Sequence, residues 1–255
     1  LVPVGREVWT KFLAADLKSP RQLVEGFGRS LATKHLQIWT MQEGRALASL
    51  GVDGGLRKPA GRDYLLLVGQ NAAGNKIDYY ARRHISYGVH IATDGKTTGK
   101  AVVELANDAP SGGLPRYLIG PFGSLRDPPG LNRSYLSIYS PLGAAVSGAS
   151  VDGKAVQVES HRELGLGVVS RYVEALSGKS ATFKVNLTSV LSRLGEYRLL
   201  VQHQPGLRAD ALDLSISLPA GATPGHMSPG LHFEGGAVRW SGPLVADREF
   251  VIEYR

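Results

Sequence analysis

The sequence predicts a mainly β protein with a helical/α-β N-terminal segment, whose body is an antiparallel two-layer β-sandwich, immunoglobulin-like in general architecture. Three observations predict it. The first fifty residues carry apolar side chains at helical spacing, and beyond Arg83 the apolar period drops to two. The 32 glycines and 14 prolines recur through the second half as punctuation between short apolar runs. With 43% hydrophobic side chains, 255 residues are enough to bury a substantial core.

From Val4 to about Leu50 the pattern is helical. Val8, Phe12 and Leu13 share one face, and Leu23, Val24, Phe27 and Leu31 form a second stripe, so both helices need a partner surface. Ser19-Pro20-Arg21-Gln22 reads as an N-cap, a first-turn proline and a capping-box glutamine that start the second helix. His35-Leu36-Gln37-Ile38-Trp39 alternates briefly and predicts a short strand, after which Glu43 to Leu50 resumes a helix ended by Gly51. Asp63-Tyr64-Leu65-Leu66-Leu67-Val68 is apolar on both faces, as suits a central strand covered by those helices. Residues 1–80 therefore read as the tail of an α/β unit and residues 81–255 as the sandwich. Because the chain starts at Leu1, we expect a piece of something longer.

Beyond Arg83, Ile85, Tyr87, Val89 and Ile91 share one strand face, and Ala101, Val103 and Leu105 answer them after an Asp94-Gly95 turn. Further strands are predicted at 134–139, 168–173, 182–187, 197–202, 212–218, 238–240 and 250–254, with an Asp152-Gly153 turn between them. Meanders of this kind fold into two sheets that bury one face of each strand. The stretch from Asn107 to Arg133, rich in Pro and Gly, is the longest break and reads as a surface loop of the kind that carries binding.

The formal charge of +7 attracts polyanions, but 29 basic residues are scattered among 22 acidic ones. Nucleic acid is disfavoured as a partner, since no basic helix, ribonucleoprotein motif or zinc-finger spacing occurs. Without cysteine there is no disulfide scaffold or thiolate metal site. The seven histidines show no local ligand spacing, with His84 and His90 six apart, so neither metal nor cofactor is expected. No Gly-x-Ser-x-Gly elbow supports a nucleophile.

The passage from Lys76 to Arg83 is the leading candidate site. Lys76, Asp78, Arg82 and Arg83, with Tyr79 and Tyr80 among them, read as a cationic-aromatic patch for a sugar phosphate, since arginine forks bind phosphate and tyrosine faces stack on sugars. The competing reading is a domain junction in which Asp78 pairs with a cation, the tyrosines pack and Gly74 turns the chain. Arg116 and Tyr117, beside Pro115, read either as a second binding pair or as a turn clamp. Tyr135, Tyr139, Tyr172, Tyr197 and Trp240 read as core or cross-strand aromatics, or else as a carbohydrate platform.

Several ordered motifs carry a family likeness. They are the helix and Trp39 strand, the Gln70-Asn71 to Asp78-Tyr79-Tyr80 passage, the Arg83 to Tyr87 strand entry, Ser111-Gly112-Gly113-Leu114-Pro115-Arg116-Tyr117, Asn132 to Pro141, and Asp152-Gly153-Lys154. In this order they resemble the carboxyl-terminal half of the actinobacterial domain of unknown function 4012 family of envelope proteins. The resemblance implies a membrane anchor upstream, an extracytoplasmic location in the cell envelope, and a segment 1–80 that ends a LytR-CpsA-Psr-like unit. No catalytic residue of that ligase family maps onto this chain. The resemblance supplies a location and no activity; the leading expectation is a non-catalytic domain that binds an anionic envelope glycopolymer or another envelope protein. The alternatives are the accessory half of a ligase-like phosphotransferase, or a structural spacer or assembly interface.

Overall fold

The computed structural model describes residues 2–14, 20–42, 44–57, 60–122, 126–141 and 143–255, with Pro20 and Leu23 described by backbone alone. Ser19, the side chain of Leu23 and Glu43, which figure in the predicted cap, stripe and third helix, lie outside this description. The chain divides into two compact units, Leu1–Gly55 and Leu56–Arg255.

The first unit contains helices α1 (Val2–Ala14), α2 (Pro20–Ala32) and α3 (Gly44–Leu50). Phe12 meets Phe27 edge-on, with centroids 5.9 Å apart, and stacks on Trp9 at 5.7 Å. Val8, Leu13 and Val24 of these stripes are open to solvent. The predicted strand at 35–39 does not form. This segment is a turn and extended chain whose Ile38 N–H donates to Val52 O at 2.9 Å, and Trp39 is exposed. Five residues of brief alternation do not make a strand without a neighbouring strand to complete the ladder.

The second unit holds the strands β1 (Asp63–Asn71), β2 (Ala81–Ile91), β3 (Lys96–Asn107), β4 (Asn132–Pro141), β5 (Ala145–Val151), β6 (Lys154–Ala155), β7 (Glu159–Glu163), β8 (Leu166–Ala175), β9 (Lys179–Val190), β10 (Glu196–Gln202), β11 (Asp210–Ser217), β12 (Pro224–Met227), β13 (His232–Glu234), β14 (Ala237–Leu244) and β15 (Arg248–Tyr254). A 3-10 turn spans Ile77–Tyr80, and the short helix α4 spans Arg116–Ile119. No described helix is long and apolar enough to cross a membrane.

Two sheets form, in the orders β12-β15-β10-β1-β4-β8-β7 and β13-β14-β11-β2-β3-β9-β5-β6. Their central five strands correspond: β15-β10-β1-β4-β8 in one and β14-β11-β2-β3-β9 in the other. Sequence neighbours thus take matching positions in opposite sheets. The main core lies between them, with Leu65, Leu136, Leu199 and Phe250 from one sheet and Ile85, Phe183, Leu214 and Val238 from the other. Burying each such side chain stabilises the fold by about 1.5–3 kcal/mol.

Three expectations change. The unit boundary falls at Gly55/Leu56 and not at residue 80, because Asp63–Asn71 is an integral strand of the seven-stranded sheet. The sheets are mixed and not purely antiparallel: β1 pairs parallel with β10, and β2 parallel with β11. Each of these partners returns after the chain has crossed between sheets, and such crossover connections are what parallel pairing requires. Finally, β1 is apolar on both faces because its outward residues Tyr64 and Leu66 form a second buried cluster with Tyr139, Leu166, Val168 and Leu200 on the outer face of its sheet.

Candidate functional site

The passage from Asn71 to Arg83 carries the chain from one sheet to the other at one end of the sandwich. Asn71 organises the turn: its Oδ1 accepts from Ala73 N–H at 2.9 Å and its Nδ2 donates to Asp78 Oδ2 at 2.8 Å. Gly74 takes φ +72°, a left-handed conformation that glycine adopts without cost. Asn75 is buried and donates to Leu131 O at 3.0 Å. In the 3-10 turn that follows, residues three apart eclipse. Ile77 and Tyr80 therefore face a small core with Ala109 and Ile119, whereas Lys76 and Tyr79 face solvent.

Period two in β2 then separates the two arginines. Arg82 points off the outer face of its sheet and forks onto Asp108 at 2.7 and 2.8 Å, an exposed pair in which the guanidinium holds the Asp108 carboxyl below its ordinary range. Arg83 points into the gap between the sheets and forks onto Asp210 at 2.7 and 2.9 Å. Its Nη1 also donates to Gln204 Oε1 at 2.8 Å, and Gln204 in turn bonds the backbone N–H and C=O of Gly69. This joins β1 of one sheet to β2 and β11 of the other. A Cβ on Gly69 would sit 2.6 Å from Arg83 Nη1, so a side chain here would force the guanidinium to shift from its place. Side-chain exposure is 14% for Arg83 and 5% for Asp210, and burial raises the Asp210 carboxyl against the opposing pull of Arg83.

Beside this clamp lies a cleft of about 270 Å³ lined by Gly69, Asp78, Arg83, Ser134, Arg208 and Asp210, among others. Arg208 sits 5.9 Å from the centroid of the Tyr79 ring, which is 59% exposed and meets Tyr80 edge-on at 5.1 Å. The Leu118 carbonyl accepts from Lys76 N–H at 2.8 Å and brings the α4 loop alongside. Within it Arg116 Nε donates to Pro121 O at 2.9 Å while its guanidinium lies 6.0 Å from the Phe122 ring, so Arg116 clamps its own turn. Tyr117 is exposed.

Of the residues predicted from sequence, Asp78 and Arg83 line the cleft, and Lys76, Tyr79, Arg116 and Tyr117 stand on the adjoining loops. Tyr80 is packed, and Arg82 lies on the sheet face. Asp78 takes its hydrogen bond from Asn71, in place of the cation expected of a junction. Gln204, Arg208 and Asp210 were missed. The Pro205-Gly206 break between two confident strands was the available signal for a loop there. Among the aromatic candidates, Tyr197 and Trp240 are core, Tyr139 is buried under the outer face, and Tyr135 pairs across strands with Tyr172 at 4.7 Å. Among the described residues no group of His, Asp and Glu is gathered for a metal.

No protein-family model and no curated protein matches the chain. Among solved structures, a Legionella pneumophila protein described as a "putative nutrient binding protein" superposes with a TM-score of 0.48 at 6% identity, over 75% of this chain and 71% of that one. The leukotriene A4 hydrolase of Saccharomyces cerevisiae gives 0.42 at 11% identity, over 72% of this chain and 31% of the enzyme. An M1 zinc metallopeptidase of Deinococcus radiodurans gives 0.37 at 12% identity, over 68% and 42%. At these scores neither the folds nor the functions of those proteins transfer to this chain.

Proposed function

We propose that this chain is a non-catalytic, extracytoplasmic binding domain of a membrane-anchored envelope protein, and that it takes an anionic glycopolymer at the cleft end of its sandwich. The observation that carries the reading is the exposed Tyr79 ring beside Arg208, on loops held by the buried Arg83–Asp210 clamp. A ring face for a sugar and a guanidinium for its phosphate or carboxylate stand together there, on a support that does not have to be ordered on binding. The location rests on the resemblance of the ordered sequence motifs to the envelope family. A cleft rimmed by Lys76, Arg82 and Arg83 would favour the accessory-ligase reading. Arg82 and Arg83 are instead forked onto carboxylates, which weakens that reading.

Co-sedimentation with purified anionic wall polymer at low and high salt tests the proposal. Binding should weaken with salt and fall about tenfold in Arg208→Glu and in Tyr79→Ala, as expected for loss of one charge-assisted or stacking contact. No binding, or binding indifferent to both substitutions, would sink it.

A second reading is favoured by the helical unit, where Val8, Trp9, Leu13 and Val24 are all exposed. Side chains at helical spacing that remain in water form an assembly surface for another copy of the chain. Concentration-dependent sedimentation that is abolished by Val8→Ser with Leu13→Ser would support it, and a monomer at all concentrations would exclude it.

A further inference from the structure

We propose that the outer face of the eight-stranded sheet carries a separate binding site for an acidic sugar, a ring that bears both a carboxylate and free hydroxyls. The site holds whether or not the cleft at the sandwich end binds polymer. Register places four outward positions in one row across four strands: Arg239 opposite Ser215, Ser215 opposite Gly88, and Gly88 opposite Lys100. Three strand spacings put about 14 Å between the two cationic ends. Between them the floor holds only a hydroxymethyl and a hydrogen, and the resulting trough measures about 440 Å³. That volume suits one or two sugar rings.

The chemistry of the lining selects the ligand. Neither Arg239 nor Lys100 has a carboxylate in ion-pair range among the described residues; Arg239 Nη1 reaches only Ser215 Oγ, at 3.4 Å. Both remain available to an anion, and the guanidinium presents the fork that a carboxylate matches. The neighbouring row supplies Asp213, whose Oδ1 accepts from Ser241 Oγ at 2.6 Å and whose Oδ2 meets His84 Nε2 at 2.7 Å. The order of the three is serine, aspartate, histidine. The serine proton thus lies on a weakly basic carboxylate with no imidazole beside it, and the arrangement fixes a carboxylate instead of activating a nucleophile. A fixed, ionised acceptor on the trough wall repels a ligand that is anionic all over but takes hydrogen bonds from sugar hydroxyls. Two free cations, a held carboxylate and a smooth floor thus ask for an anion and hydroxyl donors on the same small molecule.

Gly88 allows a direct test. A Cβ there would meet nothing nearer than Ser215 O at 4.0 Å, and the residue sits in ordinary strand geometry, so Gly88→Val fills the trough without straining the sheet. Titration of the full chain by NMR or calorimetry with glucuronate should show binding, with glucose and inorganic phosphate each at least about tenfold weaker. Gly88→Val and Arg239→Gln should each weaken glucuronate about tenfold or more, without lowering the thermal midpoint. Binding of wall polymer through Tyr79 and Arg208 should survive both substitutions, which separates failure of this site from failure of the cleft. Absence of glucuronate binding, phosphate or glucose binding equally well, or binding indifferent to Gly88→Val would each overturn the proposal.

Discussion

At the scale of single residues, two acids hold the sheets together in different electrostatic settings. Arg83 and Asp210 are paired and buried, so removing one partner strands the other charge. Arg83→Met should cost about 3–5 kcal/mol, whereas Arg83→Met combined with Asp210→Leu should recover most of it, as urea denaturation would measure. Additive losses would argue that the network through Gln204 and Gly69, and not the charge pair, carries the energy. At the other end of the sandwich, Asp63 Oδ2 accepts from Tyr87 and Tyr197 hydroxyls, both at 2.7 Å and one from each sheet. Burial raises its carboxyl above the usual range despite these bonds. A raised folded pKa means that the native state binds the proton more readily than the unfolded chain. This group's contribution is therefore complete below the ordinary carboxylate pKa and is lost as pH rises through the folded value. Asp63→Asn removes that slope, so the midpoint of the natural chain should gain on that of the variant as pH falls through the window above 3.8. A difference that is flat with pH would refute the assignment.

At the scale of elements, legibility followed the chemistry of each strand. Strands with one buried face, such as β2, β3, β9 and β11, announce themselves by period two. The edge strands β7 and β13 have no buried residue to mark them and left no such trace. The parallel pairings were not readable either, because they depend on which end a strand enters after a crossover, and no local pattern encodes that. The cleft was half legible for a related reason. Asp78 and Arg83 sit in one contiguous motif, but the partners of Arg83, Gln204 and Asp210, arrive from more than a hundred residues away. Turns were the most faithful signal. Asp152 and Gly153 take φ +48° and +78°, as a two-residue hairpin turn requires, and Asp152 Oδ1 also accepts from Thr182 N–H at 2.7 Å. Asp152→Ala keeps the left-handed strain without that bond and should cost about 1–2 kcal/mol, while Asp152→Asn should cost less. Equal losses in thermal melts of the two variants would contradict this account.

At the scale of the whole molecule, the correspondence of β15-β10-β1-β4-β8 with β14-β11-β2-β3-β9 decides where stability resides. Each crossing between sheets sets sequence neighbours on opposite walls of one core, so the core closes only when distant segments have all arrived. β1 must pair with both β4 and β10, and β2 with both β3 and β11. Such non-local order makes the sandwich a single cooperative unit and a slow folder. Every member of the inter-sheet core lies after residue 56, whereas α1 and α3 bury no residue. Residues 56–255 expressed alone should therefore keep a β-type circular dichroism spectrum and one sharp denaturant transition, and residues 1–55 alone should melt without a cooperative step. A fragment 56–255 that unfolds gradually would show that the core between the sheets is not sufficient. The cooperative unit would then have to include the helices, and the exposed stripe on α1 and α2 would no longer be free to serve as an assembly surface.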